Sequence, residues 1–344
     1  MAWGKKRAAA KETEIEQAWR RSLRAAVARD WQAAETWLER IVEADSQDLD
    51  AYLALARLYR EQGAIGRALR MHQNLLLRSE LTTAERAEAL SELARDFETG
   101  GYRERAAASY EELLNLQPRN ALVLERLVGL LHALNEFPRA LALARRLRRR
   151  DREAGIRHEV EILLTRARVQ REAGDHDGAL KSIKRCLKRD KACALAWLAL
   201  GDLAAERGKT SNALAAWKRG ALVDSAEAST FYPKLAATFA ARGKPEEFDA
   251  FLIKLLETRP QDHAARVALA RARAARGAST LAIEDLARAI EVAPEDLGLR
   301  SELGRQLIAS GQESEALKAY AELLGVVERM ASAVARGDRS EAND

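Results

Sequence analysis

Small and apolar residues recur along this chain at helical spacing, in a register that repeats about every 34 residues. The clearest copy lies at 197–225 and reads WLALGDLAAERGKTSNALAAWKRGALVDS. Small or apolar positions 197, 200, 201 and 204 mark one helical face, and positions 213, 217 and 220 mark a second. Gly208 lies between the two faces. The pattern therefore predicts pairs of helices, each pair joined by a tight turn.

Nine copies align on a residue of the second helix that we number position 20 of the repeat: Ala34, Ala68, Ala106, Ala140, Ala179, Ala213, Phe248, Ala282 and Ala316. Position 15, the turn, is glycine in seven copies and Arg29 or Asn135 in the other two. Glycine suits a chain that leaves a helix through positive φ. This is the tetratricopeptide repeat (TPR) pattern. The predicted fold is an all-α superhelical solenoid of about nine helix-turn-helix repeats.

The register also predicts the organisation of the chain. Residues 1–14 form a polar leader, 15–330 the repeat array, and 331–344 the end of a capping helix followed by a disordered tail. The predicted repeats are 15–48, 49–82, 87–120, 121–154, 160–193, 194–227, 229–262, 263–296 and 297–330. Two insertions, around 79–86 and 150–159, lengthen the spacing, and each should extend a helix or a loop.

Composition narrows the classes of function. The formal net charge of +5 permits an anionic partner without requiring one. The two cysteines, Cys186 and Cys193, do not form a C-x-x-C pair, so we expect buried thiols in a reducing compartment and no zinc ribbon. No phosphate-binding loop, nucleophile elbow or metal-binding histidine motif occurs. We therefore expect a soluble cytoplasmic protein that is not an enzyme and needs no cofactor.

Position 9 of the repeats is the first candidate site, because this position faces the concave groove of TPR arrays. Five of its nine residues are arginine: Arg57, Arg95, Arg168, Arg271 and Arg305. Inward arginines favour carboxylate-bearing or phosphorylated partners, which a guanidinium binds through paired hydrogen bonds. The alternative is that these arginines pair with neighbours such as Glu92 and Glu302. The sequence leaves the two interpretations open.

A second candidate site is basic and lies on consecutive second helices, which face the convex side of a TPR array. Its residues are Arg145, Arg146, Arg149, Lys181, Lys184, Arg185 and Lys188. Such a surface suits anionic lipid headgroups or an acidic protein, and the alternative is an ordinary solvated face. The interleaved aromatic residues of a nucleic-acid platform are missing, so we expect no nucleic-acid partner.

Two stretches carry a more specific resemblance. The first, at 63–114, contains RALRMHQ around His72 and the insertion SELTTAER, and the second covers 179–224 and continues to 257. Both resemble the lipopolysaccharide assembly protein B family (LapB, also YciM). The resemblance implies an inner-membrane adaptor whose repeats bring the deacetylase LpxC to the protease FtsH. Family members also carry a membrane-spanning helix and a rubredoxin-like metal domain with two C-x-x-C pairs, and this sequence shows neither.

From the pattern and the resemblance together we expect a non-catalytic, LapB-like scaffold or adaptor that binds partner proteins. The resemblance implies FtsH-type and LpxC-type partners, regulation of lipopolysaccharide synthesis and a cytoplasmic location, peripheral at the inner membrane. The alternative is a structural subunit of a larger cell-envelope or motility complex, which would co-fractionate stoichiometrically with one stable assembly.

Overall fold

A computed structural model describes residues 2–223 and 227–341, with side chains at 12–223 and 227–332. The chain divides into two compact units, Met1–Arg166 and Ala167–Asp344, and each is described by itself. The end of the sixth predicted repeat (224–226) and the last three residues of the predicted tail (342–344) lie outside the described residues.

The first unit consists of helices that follow one another in antiparallel pairs. They are α1 Ala2–Val27, α2 Trp31–Ala44, α3 Leu49–Glu61, α4 Ile65–Leu76, α5 Thr83–Thr99, α6 Arg103–Leu116, α7 Ala121–Ala133 and α8 Phe137–Arg148. The next helix, α9 Arg152–Glu172, contains the boundary between the units. Odd-numbered helices are the first helices of the repeats and even-numbered helices the second.

The second unit continues the same order. Its elements are α10 His176–Arg189, α11 Ala194–Glu206, α12 Thr210–Val223, a 3-10 turn Ala228–Thr230, α13 Tyr232–Ala241, α14 Pro245–Thr258, α15 His263–Ala274, α16 Ser279–Val292, α17 Leu297–Ala309 and α18 Glu313–Glu341. The described residues contain no strand and form nine helix pairs in the predicted register. The fold is therefore an all-α TPR solenoid, as the periodicity predicted.

The turns within the pairs explain the register. All nine residues at position 15 have positive φ, including the two that are not glycine, Arg29 at 56° and Asn135 at 60°. An L-residue pays a steric cost in this conformation, which glycine avoids. The turn geometry is thus common to all nine repeats, and the tertiary packing imposes it where glycine is missing.

Small residues let the two helices of a pair approach closely. All nine residues at position 20 are buried, and eight of them are alanine. At position 8, a Cβ added to Gly201 of α11 would lie 2.3 Å from the Trp217 ring of α12. The indole therefore packs directly on the α11 backbone, and the space between the helices is filled without a side chain from α11.

The two insertions extend first helices. Thr82 caps α5 through a capping box with Glu85, in which each side chain accepts from the other residue's backbone N–H, so the first insertion becomes a loop and an additional helical turn. Most of the second insertion, from residue 152 on, lies within the 21-residue helix α9. At the other end of the chain, α18 runs through Glu341, so the described part of the predicted tail is helical.

Candidate functional site: arginines held by buried carboxylates

A buried carboxylate joins two of the predicted groove arginines in the second unit. Glu302 of α17 is 2% exposed, and its Oε2 accepts a hydrogen bond from Nε of Arg271 on α15 at 2.8 Å and lies 2.8 Å from Nη2 of the same arginine. The same oxygen lies 2.9 Å from Nη2 of Arg305, one turn along α17. Gln306 donates from Nε2 to the other oxygen at 2.7 Å. One acidic side chain thus orients two guanidinium groups.

The first unit contains the same arrangement. Glu92 of α5 is buried, and its Oε1 lies 3.2 Å from Nη2 of Arg57 and 3.2 Å from Nη1 of Arg95. Arg57 also pairs with Glu88 at 2.8 Å. Arg60 of α3 binds the second oxygen of Glu92 at 2.8 Å. Glu92 therefore satisfies three guanidinium groups from two successive first helices.

Arg60 connects this cluster to a buried histidine. Its Nη1 lies 2.8 Å from Oδ1 of Asp96, and Oδ2 of Asp96 lies 2.6 Å from Nδ1 of His72 on α4. Asp96 and His72 are fully buried. His72 is therefore a packed histidine, held by the carboxylate of Asp96. The cluster links three helices of two repeats, which indicates a structural role.

The repeat register explains why these pairs form. Glu92 and Glu302 both occupy position 6, so each reaches the position 9 arginine of its own repeat and that of the preceding repeat. Arg168 has Thr165 at position 6 of its own repeat and Ala199 at position 6 of the next. Arg168 is exposed, and no ion pair to it is found within the described residues. Four of the five arginines are therefore paired, and Arg168 stands apart.

The electrostatics of the two glutamates follow from these contacts. Burial by itself raises the pKa of Glu302, but hydrogen bonds from Arg271 and Gln306 and the charge of Arg305 outweigh it, so the pKa is lowered from its ordinary value. Burial acts in the same way on Glu92, and the hydrogen bond from Arg60 with the charges of Arg57 and Arg95 lowers the pKa. Both carboxylates are therefore ionised at neutral pH.

The two clusters differ in net charge. In the first unit, three arginines pair with three carboxylates, so the cluster is neutral. The arginines are Arg57, Arg60 and Arg95, and the carboxylates are those of Glu88, Glu92 and Asp96. In the second unit, Arg271 and Arg305 share Glu302 alone among the ion pairs of the described residues. These three side chains carry a net charge of +1, and the carboxylate of Asp296 lines the adjoining groove with the two arginines.

A groove of about 600 Å³ lies beside this second cluster. Its walls come mainly from the first helices α13, α15 and α17, and both Arg271 and Arg305 line it. Small residues such as Ala264, Val267 and Ala268 form the rest of the α15 wall. The side chains of Arg271 and Arg305 are 52% and 54% exposed, so their remaining N–H groups are accessible. The structure thus brings together two of the predicted arginines around one groove.

The predicted basic residues of the second helices are all exposed. Arg145, Arg146 and Arg149 lie on α8 and at its end, and Arg146 donates to the carbonyl oxygen of Pro118 at 3.1 Å. The other four, at 181, 184, 185 and 188, lie on α10 in the second unit, and no ion pair to them is found within the described residues.

Comparison with known proteins bears on the repeat fold of the chain and on its relatives. A tetratricopeptide repeat family model matches residues 164–231. The chain is 26% identical over 226 residues to lipopolysaccharide assembly protein B of Escherichia coli strain K12, which covers 65% of this chain and 58% of that protein. It is 33% identical to the Haemophilus influenzae protein of the same name over 110 residues, 32% of this chain and 28% of that one. The chain is a LapB-like TPR protein.

Solved structures of TPR proteins are also similar. The LapB-like chain is 14% identical to a tetratricopeptide repeat protein from Parabacteroides merdae, with a TM-score of 0.41 over 86% of this chain and 99% of that one. It is 19% identical to YrrB, a TPR protein with an unusual peptide-binding site, with a TM-score of 0.38 over 54% of this chain and 92% of that one.

The LapB-like chain thus spans just under three fifths of the length of the E. coli relative. Within the part of the chain that the structure describes, no helix is both long enough and apolar enough to cross a membrane. The described histidine, cysteine and acidic side chains also form no group of three or more that would hold a metal ion.

The two cysteines of the LapB-like chain lie beside each other. Cys186 is buried in α10, whereas Cys193, at the start of α11, is partly exposed, so the prediction of two buried thiols is wrong for Cys193. The hydrogen bond between the thiols and burial raise the pKa of Cys186. The same hydrogen bond, opposed by burial and helped by the backbone N–H groups of Ala196 and Leu195, lowers the pKa of Cys193 to about 7.

Proposed function

We propose that this protein is a non-catalytic adaptor that binds an acidic segment of a partner protein in the groove between α13, α15 and α17. The observation that carries the proposal is the shared carboxylate Glu302, which holds Arg271 and Arg305 at the groove while about half of each arginine side chain stays exposed. Because the guanidinium groups are already oriented, a partner carboxylate pays little ordering cost when it binds them.

The similarity to lipopolysaccharide assembly protein B supports a more specific proposal about the partner proteins and the process. The adaptor brings an LpxC-type deacetylase to an FtsH-type protease and thereby regulates lipopolysaccharide synthesis, at a site peripheral to the inner membrane. The exposed residues Arg145, Arg146 and Arg149 on the α8 side of the first unit would supply contacts with anionic lipid headgroups.

The second-unit arginines are preferred over those of the first unit as the partner-binding residues. Arg57 and Arg95 belong to a neutral cluster whose carboxylates already satisfy them, so they attract a further carboxylate less strongly. Arg168 remains a predicted groove contact, since its exposed side chain has no acidic residue in register.

The test is direct binding of purified LpxC-type and FtsH-type proteins to the Arg305→Ala variant. Glu302 keeps its hydrogen bond and its ion pair with Arg271 in this variant, so the fold should be retained. Loss of a charged hydrogen bond to a partner carboxylate should weaken binding about tenfold or more. Arg95→Ala is the matched control, since it removes the equivalent arginine of the neutral cluster and should change affinity less than about twofold.

Two results would contradict the proposal. Equal affinity of the wild-type protein and Arg305→Ala for a partner that binds would exclude this groove as the binding site. Failure of both purified proteins to bind the wild-type chain would exclude the adaptor role that the LapB likeness suggests.

A further inference from the structure

A second groove, of about 540 Å³, lies among α10, α11 and α12. Leu180, Trp197 and Leu200 supply large apolar surfaces to it, and all three are partly rather than fully buried. The Trp197 indole N–H donates to the carbonyl oxygen of Lys191 at 2.9 Å, which fixes the ring against the start of α11. This groove shares no lining residue with the groove of Arg271 and Arg305.

The charged residues that line the second groove are all basic: Lys184, Arg207, Lys209 and Arg219. Arg207 pairs with Asp177 at 2.9 Å, and no ion pair to the other three is found within the described residues. Lys181 and Lys188 lie three and four residues from Lys184 on α10, so they extend the same helical face. The groove thus combines apolar lining residues with charged lining residues that are all positive.

We propose that this groove binds an acidic amphipathic helix of a partner protein. A helix presents apolar side chains at positions i, i+3 or i+4, and i+7, which would fill the floor beside Trp197 and Leu200. Aspartate or glutamate residues flanking that stripe would then meet Lys184 and Arg219 on the two walls.

The shape of the site favours a protein segment over a membrane. The apolar residues form a recess between α10 and α12, whereas a membrane-binding surface inserts apolar side chains that project beyond the charged ones. An apolar recess with basic residues on its walls suits the apolar face of one acidic amphipathic helix. This groove is separate from the groove of Arg271 and Arg305, so each of the two binding proposals can be tested without the other.

The first experiment selects ligands from a display library of helical 15-residue peptides with randomised surface positions, using the full-length protein. Parallel selections use Lys184→Glu/Arg219→Glu and, for the other groove, Arg305→Ala. We expect the wild-type protein to enrich amphipathic peptides rich in aspartate and glutamate, and expect the Lys184→Glu/Arg219→Glu variant to lose them. Peptides lost only with Arg305→Ala report on the other groove.

The second experiment titrates one enriched peptide, fluorescently labelled, and follows its anisotropy. Reversal of Lys184 and Arg219 should weaken binding about tenfold or more, and added salt should weaken binding to the wild-type protein. The control variant Lys254→Glu/Lys318→Glu makes the same change in net charge at two exposed residues that line neither groove, and it should bind within about twofold of wild type. A loss of affinity for the peptide in Trp197→Ala would show that the apolar lining residues also contact the peptide.

Three results would overturn the proposal. The enriched peptides could lack acidic residues, their binding could survive Lys184→Glu/Arg219→Glu, or the control variant could lose affinity equally. A fourth result would reassign the site: binding to vesicles containing anionic phosphatidylglycerol that depends on Lys184 and Arg219, with no acidic peptide enriched, would make the groove a lipid contact.

Discussion

Replacing Glu302 with glutamine keeps the side-chain volume and removes the negative charge that Arg271 and Arg305 share. The carboxylate accepts hydrogen bonds from Arg271 Nε at 2.8 Å and Gln306 Nε2 at 2.7 Å, and it makes ion-pair contacts with Nη2 of Arg271 at 2.8 Å and Nη2 of Arg305 at 2.9 Å. Glutamine offers a single acceptor oxygen and places an amide N–H₂ group among donors. We therefore expect the variant to destabilise the packing of α17 against α15.

The magnitude follows from the burial of the partners. Breaking a fully buried ion pair costs about 3–5 kcal/mol. Here the carboxylate is buried but the arginines are about half exposed. In the variant, water can therefore replace part of the interaction that the two guanidinium groups lose with the carboxylate. We expect a cost of about 2 kcal/mol, which corresponds to a roughly 30-fold increase in the population of locally unfolded α17.

Amide hydrogen exchange followed by mass spectrometry is the suitable assay, because a repeat protein need not unfold in one step. Peptides from α15 and α17 should exchange about 30-fold faster in Glu302→Gln, and peptides from α7 should not change. The control is Glu315→Gln, which neutralises an exposed glutamate on α18. An increase below about threefold in α17, or an equal increase in the control, would refute the reasoning.

The pH dependence of this difference has a defined sign. The pKa of Glu302 in the folded protein is lowered from 4.5. A carboxylate with a lowered folded pKa contributes stability that is complete above its unfolded pKa and is lost as the pH falls through the folded pKa. The difference in local stability between wild type and Glu302→Gln, corrected for intrinsic exchange rates, should therefore be constant near neutral pH and shrink below about pH 4.5. A constant difference down to pH 3 would contradict this.

Three further variants test other parts of the account. Gly201→Ala places a Cβ 2.3 Å from the Trp217 ring and should destabilise the second unit by about 1–3 kcal/mol in urea, as followed by tryptophan fluorescence; an unchanged midpoint would refute the close packing. Arg29→Gly relieves a positive φ and should stabilise α1 and α2 by about 0.5 kcal/mol in hydrogen exchange, whereas faster exchange would argue against strain. Asp96→Asn leaves His72 without its charged partner and should lower the free energy of unfolding, measured by thermal denaturation, by about 3 kcal/mol. A loss under 1 kcal/mol would show that His72 packs well without the Asp96 carboxylate.

The repeat register was readable from the sequence because each repeat imposes the same local requirements. An alanine at position 20 recurs in eight of the nine repeats and a turn at position 15 in all nine, so even Arg29 and Asn135 could be placed without glycine. The pairing of the groove arginines was also accessible, since Glu92 and Glu302 lie three residues before Arg95 and Arg305. The sequence could not decide whether these arginines form ion pairs within the protein or bind a partner. In the structure Arg271 and Arg305 each pair with Glu302 and still remain about half exposed.

Contacts between successive helices were harder to predict. The buried link from His72 on α4 through Asp96 to Arg60 joins residues 24 and 36 positions apart, and it depends on how neighbouring repeats pack. The second groove was missed for a related reason. Trp197 and Leu200 occupy packing positions of the repeat, and the sequence does not show that they remain partly exposed between α10 and α12.

Site-specific photo-cross-linking in the cells that produce this protein is the most direct test of the adaptor role. A photoreactive residue at Val267, which lines the groove of Arg271 and Arg305, is compared with one at Leu281, which is exposed on α16 outside that groove. We expect cross-links from Val267 to an LpxC-type or FtsH-type protein and none from Leu281. Cross-links from Val267 only to a different, stoichiometric set of proteins would contradict the adaptor role and indicate a structural subunit of another complex.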